Sequence, residues 1–467
     1  MAHNIGQQTM SQTDIVILAA GKGTRMQSAR PKVLHQLAGV SLLQHVLVAA
    51  ETVVHSKKIV VTGHGAETVE RSVSSKAAIF VQQSEQLGTA HAVKTALPHL
   101  RDDAKVLILY GDVPLIKPVT IGKMLAAVTT DSIALLTVTL PDPTGYGRIV
   151  RGRDGLIESI IEQRDASPEQ LQLCEVNTGV LALTVSQLKS WLPLIDNNNT
   201  QGEYYLTDLI ALARRDGFRV DSIQPTSTTE VEGVNNRLQL SQLERAHQLE
   251  LAEALMLSGT SLVDPARFDQ RGTLTAGTDN HIDINCIFEG TVSLGSDVTI
   301  GANCQIINSS IGDGVQIKAN SHIEESLIGD RAVIGPYARL RTGTELGADA
   351  KIGNFVETKK TKVGAGSKIN HLSYVGDTEM GSKVNIGAGT ITCNYDGVNK
   401  HSTVLGNDVF IGSNSTLIAP IKIGDHGFVA AGSTVSQDVS ASALAVGRSK
   451  QRNIQGWKRP TKDNQDS

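Results

Sequence analysis

Two hydrophobic rhythms divide the chain. Over the first 235 or so residues, short aliphatic runs, IVILAA (15–20), KIVVTG (58–63) and KVLILY (105–110), alternate with amphipathic stretches such as 41–51 and 90–96. Runs of that length bounded by turn residues read as buried strands, and the stretches between them as helices. The alternation predicts an α/β doubly wound, mostly parallel sheet with its ligands at the strand C-termini. Residues 236–258, NRLQLSQLERAHQLELAEALMLS, hold neither Gly nor Pro and are rich in helix formers; they predict one linker helix ending at Gly259.

Beyond the helix the period becomes six. Inward candidates run Ile282, Phe288, Leu294, Ile300, Ile306, then with one-residue deletions Ile311, Ile317, Ile323, Ile328, Ile334, Leu340, Leu346 and Ile352. They continue through Val363, Ile369, Val375, Met380 and Ile386, and resume after an insert at Leu405, Ile411, Leu417, Ile423, Val429 and Val435. Four residues after many of them comes a small or β-branched residue: Val298, Cys304, Ser310, Val315, Ala332, Ala338, Val409 and Ser415. One large and one small inward residue per six describe a three-faced parallel β-helix of hexapeptide repeats, eighteen residues per coil. The expected organisation is a domain over 1–235, a linker helix over 236–258, a β-helix over 259–450 and a basic tail over 451–467.

Composition sharpens this picture. With 40% hydrophobic and 19% charged residues the chain is able to bury a core, and 3% aromatics beside 44 glycines suits an aliphatic, turn-rich repeat. A formal charge of −4 gives no global basic field for nucleic acid or an anionic membrane, so any phosphate binding has to be local. The N-terminus lacks the charged and apolar regions of a signal peptide, and its first apolar run is too short to span a bilayer; a cytoplasmic protein is expected. The four cysteines include no CxxC pair, arguing against zinc or a disulfide framework, and Cys286 and Cys304 fall at the small inward position as stacked hydrophobes.

The first candidate site follows the first strand, where Gly21-Lys22-Gly23-Thr24-Arg25-Met26 leads to Pro31-Lys32. Glycines there let backbone N–H groups approach an anion, and Arg25 with Lys32 supplies charge for a polyphosphate. A P-loop would need Lys-Ser/Thr after its last glycine, and the dinucleotide fingerprint would need a glycine at Met26. Asp112, after a buried strand, suits a hard cation such as Mg2+. Gln83, Gln86, Gly88 and Thr89 carry amide and backbone donors and acceptors of the kind that read a ring edge, though a glutamine loop alone names no ligand.

The run LAAGKGTRMQSARPK (18–32) resembles the signature of sugar-1-phosphate nucleotidyltransferases. QSEQLGT (83–89), YGDVP (110–114), GYGRI (145–149), EVNTG (175–179) and EVEGVNN (230–236) are similar to successive motifs of one group among them. That group is the bacterial bifunctional N-acetylglucosamine-1-phosphate uridyltransferase / glucosamine-1-phosphate N-acetyltransferase family, and the resemblance extends over nearly the whole chain. It implies a Rossmann-like N-terminal fold, a left-handed parallel β-helix after it, and transfer of uridylyl from UTP to N-acetylglucosamine-1-phosphate. Arg25 and Lys32 would be catalytic, with Leu18, Gly21, Tyr110 and Gly111 also binding substrate, and Gln83, Gln86, Gly88 and Thr89 reading the uracil edge. Gly147, Glu162, Asn177 and Tyr204 would line the sugar side, and Asn235 would join Asp112 on magnesium. In-line displacement at phosphorus needs positioning and charge neutralisation but no nucleophilic side chain.

A second site is readable on the β-helix. Arg341 and Lys359, each one residue after an inward position (Leu340 and Thr358), should stack on adjacent coils ~4.8 Å apart. Like charges so placed call for an anion over them, a sugar phosphate. Acetyl transfer needs a base to take the proton from the glucosamine ammonium, and His371 suits it. The insert CNYDGVNKHSTV (393–404) should project as a loop, and the tail concentrates Arg448, Lys450, Arg452, Lys458 and Arg459. By resemblance His371 is the base, Tyr374 and Asn385 hold the sugar, Ala388 with Ser413 faces the thioester region of acetyl-CoA, and Ala431 also binds substrate. The same resemblance points Asn394, Tyr395 and Lys400 toward the sugar, sets Arg448 on coenzyme A phosphates, and implies a homotrimer supplying a precursor for peptidoglycan and lipopolysaccharide. Two other readings remain: a nucleotidyltransferase with a purely structural β-helix, and a non-enzymatic regulatory subunit. His371, Asn385 and the Arg341/Lys359 stack argue against the first; Arg25, Lys32, Asp112 and Asn235 argue against the second.

Overall fold

The computed structural model describes residues 12–73 and 78–459. Residues 1–11 of the expected first domain and 460–467 of the expected tail lie outside them. The chain forms two compact units, the first ending at Glu250 and the second beginning at Leu251, so the division falls inside the helix Arg237–Leu257.

The first unit is built on a nine-stranded sheet: β1 (Thr13–Ala19), β2 (Lys57–Thr62), β3 (Ala78–Gln82), β4 (Lys105–Tyr110), β5 (Ser132–Thr139), β6 (Arg148–Arg151), β7 (Ile157–Ile161), β8 (Glu175–Thr184) and β9 (Arg219–Ile223). The order is β9-β5-β8-β4-β1-β2-β3, with the β6–β7 hairpin attached to β8. Neighbours in the main order pair in parallel except β8, which is antiparallel to both β4 and β5. That reversal has a use. It brings the start of β8, with Asn177 and Gly179, to the edge where β4 ends.

Strand β1 is buried along its whole length because both sheet faces are covered. Ile15, Ile17 and Ala19 enter one apolar cluster with Leu43 and Leu47, while Val16 and Leu18 enter the other with Val93 and Ile108. This is why its sequence reads as a continuous aliphatic run rather than an alternation. The predicted stretch 41–51 is a helix, Leu42–Glu51, started by the Ser41 hydroxyl accepting from the Gln44 N–H at 3.2 Å.

The second unit is a parallel β-helix. Its short strands stack into three ladders, two of them joined where long strands such as Glu357–Val363 bend round a corner. The inward residues from Ile282 to Val435 are buried in a single column-like cluster. One inward assignment needs correction: Ser310 is exposed and Ser309 is buried. Ile311 follows Ile306 by five residues rather than six, so the small inward position moves back by one, and the Ser309 hydroxyl accepts from the Ser326 N–H at 3.1 Å. The coil length varies for the same reason. Ile282 pairs with Ile300, eighteen on, but Ile300 pairs with Ile317 and Ile317 with Ile334, each seventeen on.

Cys286 and Cys304 are buried in neighbouring coils, and burial pushes the Cys286 thiol up to about 12, far from a reactive thiolate. Among the described residues no helix is long and apolar enough to cross a membrane.

Candidate active sites

In the first unit a cleft of about 400 Å³ opens at the C-terminal ends of β1 and β4. Of the predicted residues, Leu18, Gly21, Lys32, Gln83, Gln86, Gly88, Thr89, Tyr110 and Asp112 line it. After β1 the chain turns through Gly23, whose φ is +62° and whose missing Cβ would stand 2.7 Å from the Lys32 Cβ. The glycine thus lets the loop close against Lys32. The Lys32 ammonium is largely buried and donates to the Asp112 carboxylate and, at 3.2 Å, to Asn235 Oδ1. Arg25 Nη2 donates to the same amide oxygen at 3.1 Å. Four residues from three segments of the chain therefore converge on one point. A carboxylate and an amide oxygen flanking a cationic group form a hard-oxygen donor set of the kind magnesium takes, since it fills its remaining positions with phosphate and water oxygens.

The loop over residues 83–89 is stapled in place by backbone bonds. Tyr204 N–H donates to Leu87 C=O at 2.8 Å, Ala90 N–H to Tyr204 C=O at 3.0 Å, and Leu206 N–H to Thr89 Oγ1 at 3.0 Å. Tyr204 acts here through its main chain, and Gly88 permits the approach: its φ is +117° and a Cβ would sit 2.5 Å from the Tyr204 carbonyl oxygen. Tyr110 is held with its phenol above the ordinary range by burial and, secondarily, by the charges of Asp112 and Glu162. Gly111 ties the end of β4 to β1 through its N–H on Leu18 C=O at 2.9 Å.

Gly147, Glu162 and Asn177 stand outside that cleft's lining but meet one another. Asn177 N–H donates to Gly147 C=O at 2.9 Å, and a Cβ on Gly147 would lie 3.4 Å from Glu162 Oε1. Asn177 Oδ1 accepts from the Gly179 N–H at 2.9 Å, leaving its amide hydrogens for a ligand. Burial raises the Glu162 carboxyl, opposed by the Thr207 hydroxyl, which donates to it at 3.4 Å. Lys22 and Glu203 also line the cleft. Lys22 lay within the quoted motif without a role; Glu203, in a stretch with no motif, gave no sequence signal.

On the β-helix, Leu340 stands opposite Thr358, so Arg341 and Lys359 are lateral neighbours, and Arg341 N–H donates to Thr358 C=O at 2.9 Å. Arg341 Nη1 donates to Glu357 Oε1 at 2.7 Å. Lys400, from the insert, reaches the same place: its ammonium beside Lys359, with Arg341 further off, draws Lys359 below the ordinary lysine range. Three cations thus gather on one face. The insert is a small hairpin with Tyr395 bridged to Lys400, its turn held by Asp396 Oδ1 accepting from Val398 and Asn399 N–H. Asn394 is buried at its base, donating to Asp377 and, at 3.5 Å, to the Tyr374 hydroxyl.

His371 sits at the preceding corner, with Nδ1 2.8 Å from Asn354 Oδ1. An amide oxygen only accepts, so Nδ1 is the donor here, and in the neutral ring the lone pair then lies on Nε2. Asn354 was missed because a strict eighteen-residue coil sets Gly353 beside His371, whereas the actual coil is seventeen. Ala388, Ser413 and Ala431 follow His371 coil by coil along the same corner: Gly389 N–H donates to His371 C=O, Asn414 N–H to Ala388 C=O, and Gly432 N–H to Ser413 C=O. Arg448 closes the column with its guanidinium on Ala431 C=O at 2.7 Å. Four coil spacings of ~4.8 Å make this column about 19 Å long. Asn385 lies elsewhere, on the neighbouring ladder between Lys368 and Phe410. Residues 451–459 are exposed and form no strand or helix.

Comparison with known proteins adds three family matches. A MobA-like NTP transferase domain model matches residues 15–162, a GMPPB C-terminal domain model residues 271–363, and a bacterial transferase hexapeptide (six repeats) model residues 402–437. The chain is 57% identical over 453 residues to the Bifunctional protein GlmU of Marinobacter nauticus, covering 97% of this chain and all of that one. It is 58% identical to the namesake from Cellvibrio japonicus and 55% to that from Stutzerimonas stutzeri, each over 96% of this chain and 99% of the relative.

Proposed function

The chain belongs to the family of the bifunctional GlmU proteins, and from that membership we propose how each half performs its transfer. It is a nucleotidyltransferase and an acetyltransferase in one polypeptide, acting on small molecules. The nucleotidyl half calls for a divalent metal, which we assign as magnesium. The substrates we assign are UTP with N-acetylglucosamine-1-phosphate in the first unit, and acetyl-CoA with glucosamine-1-phosphate in the second, in the cytoplasm.

In the first unit a sugar-phosphate oxygen attacks the α-phosphorus of UTP in line with the departing pyrophosphate. Backbone N–H groups of the Gly21–Gly23 loop, Arg25 and Lys32 neutralise charge on the phosphates. Asp112 and Asn235 would hold the metal, which when bound shields the same phosphate oxygens. Gln83, Gln86, Gly88 and Thr89 orient the base, and Gly147, Glu162 and Asn177 the sugar.

In the second unit Arg341, Lys359 and Lys400 take the phosphate of the amino sugar, assisted by Tyr374, Asn394 and Tyr395. His371 Nε2 accepts the proton from the substrate ammonium, and the freed amine attacks the thioester carbonyl, releasing coenzyme A. Ala388, Ser413 and Ala431 give the thioester a flat track ending at Arg448. The observation that carries this second activity over a purely structural β-helix is the His371–Asn354 hydrogen bond, which fixes the tautomer a base requires. Because Asn385 faces away from the cation cluster, a second copy would have to bring its own Asn385 face to the sugar. That requirement and the flat faces of the prism favour a homotrimer.

The full chain incubated with UTP, N-acetylglucosamine-1-phosphate and Mg2+, and separately with acetyl-CoA and glucosamine-1-phosphate, is expected to turn over both pairs. Uridylyl transfer without acetyl transfer would return the β-helix to a scaffold. Sedimentation equilibrium is expected to give three chains per particle; a monomer at micromolar concentration would refute the trimer.

A further inference from the structure

One polar contact behind the cleft has no part in the chemistry above. Gln83 lines the cleft, yet its side-chain nitrogen points inward: Nε2 stands 2.9 Å from His91 Nδ1 and 3.2 Å from the Gly88 carbonyl oxygen. A backbone carbonyl only accepts, so the atom facing Gly88 has to be the NH2 group and not the amide oxygen. One amide hydrogen serves Gly88; the other is directed to His91, whose Nδ1 must then be the acceptor with its proton on Nε2. Both amide hydrogens are thereby occupied. Among the described residues no donor reaches Gln83 Oε1, which is the free end of the amide.

We propose that His91 is a positioning residue for nucleobase choice: by accepting one Gln83 hydrogen on Nδ1 it locks the amide with Oε1 toward the base, where it accepts from the ring imide N–H of uracil. The inference rests on reading this cleft as the UTP site. Uracil presents a ring N–H donor between two carbonyl oxygens, whereas cytosine presents a ring nitrogen acceptor beside an amino group. A half-turn of the Gln83 amide would exchange Oε1 for NH2 and invert the preference. Discrimination therefore depends less on having a glutamine than on holding it one way round, and a buried side chain held at two points cannot turn without leaving a donor or acceptor unpaired. His91 itself, the third residue of the helix Thr89–Ala96, does not line the cleft, so its influence passes through Gln83.

The test measures kcat/KM for UTP and for CTP with full-length variants. His91→Leu, which keeps packing volume, and His91→Ala are each expected to lower the UTP:CTP ratio about tenfold to a hundredfold. His91→Asn, with an amide oxygen close to where Nδ1 stands, is expected to restore it to within about threefold. KM for N-acetylglucosamine-1-phosphate and the rate of acetyl transfer report that each variant is folded. Gln83→Leu separates the two claims. If it leaves the ratio unchanged, Gln83 does not read the base and the cleft assignment fails. If it collapses the ratio while folded His91→Leu or His91→Ala keeps it, the role given to His91 is overturned. Equal losses in the Leu and Asn variants overturn it too, since packing and not an acceptor would then be at work.

Discussion

Neighbours on the β-helix are found by counting seventeen or eighteen residues along the chain, whereas Lys32 and Asn235, which touch in the N-terminal cleft, are 203 residues apart. The contrast comes from dimensionality. In the β-helix each coil meets only the coils before and after it, so the hydrophobic period is also the contact map. In the doubly wound unit the sheet order β9-β5-β8-β4-β1-β2-β3 scrambles the sequence, and only the segments after β1 and β4 and the approach to the helix at Arg237 bring the charged groups together. A site on a linear stack can be lengthened or shifted coil by coil. A site at a sheet edge depends on loops that the core holds from several directions.

Four substitutions probe that contrast. The largest effect is expected at the corner column: His371→Ala should lower acetyl transfer about 10²–10⁴-fold, the usual loss of a general base, with uridylyl transfer unchanged. Equal loss of both activities in a folded variant would mean the units do not act independently. Asp112→Asn should lower uridylyl transfer about 10²–10³-fold while acetyl transfer holds, because one preorganised charge at the phosphates is removed. Initial rates over a magnesium titration check it, and a wild-type rate at every concentration would exclude Asp112 from the site.

Asn354→Ala should cost acetyl transfer about tenfold, less than His371→Ala, since the base remains but its tautomer is no longer fixed. Its pH–rate profile should shift while KM for acetyl-CoA stays put; an unchanged profile would reduce Asn354 to a turn residue. The smallest effect concerns stability. Asp208 at the start of the helix Asp208–Arg215 is pushed up to about 6 by burial, then by Asp196 and Asp165. Its folded carboxyl holds a proton that the unfolded chain releases near ~3.9, so stability is full below that pH and is lost as pH rises through about 6. Asp208→Asn should therefore stabilise the chain by about 1 kcal/mol at pH 8, discounted because the group is half-exposed, and by nothing measurable at pH 4. Denaturant melts at the two pH values would show it, and an equal gain at both would remove the titration from the explanation.

Much of the β-helix was legible as sequence because its period is local. Inward aliphatics, the stacked cysteines and the Arg341–Lys359 pair follow from spacing alone. The misses there, Ser309 in place of Ser310 and Asn354 beside His371, both come from shortened coils, since one deleted residue shifts the partner of every side chain near that corner. Strands β1, β2 and β4 and the helix Leu42–Glu51 were also written in the chain, as aliphatic runs and an amphipathic stretch.

What only the tertiary structure decided is which groups meet and which way they face. Motifs named Lys32, Asp112 and Asn235, but nothing local states that one lysine ammonium bridges the other two, because sheet order is set by long-range packing. The antiparallel course of β8, the main-chain role of Tyr204, the entry of Glu203 into the cleft and the orientation of the Gln83 amide against Gly88 and His91 belong to the same class. Hydrophobic patterning depends on whether a residue is buried, a property nearly every core position shares. Hydrogen-bond direction depends on single atoms brought together by distant segments, and no periodicity records it.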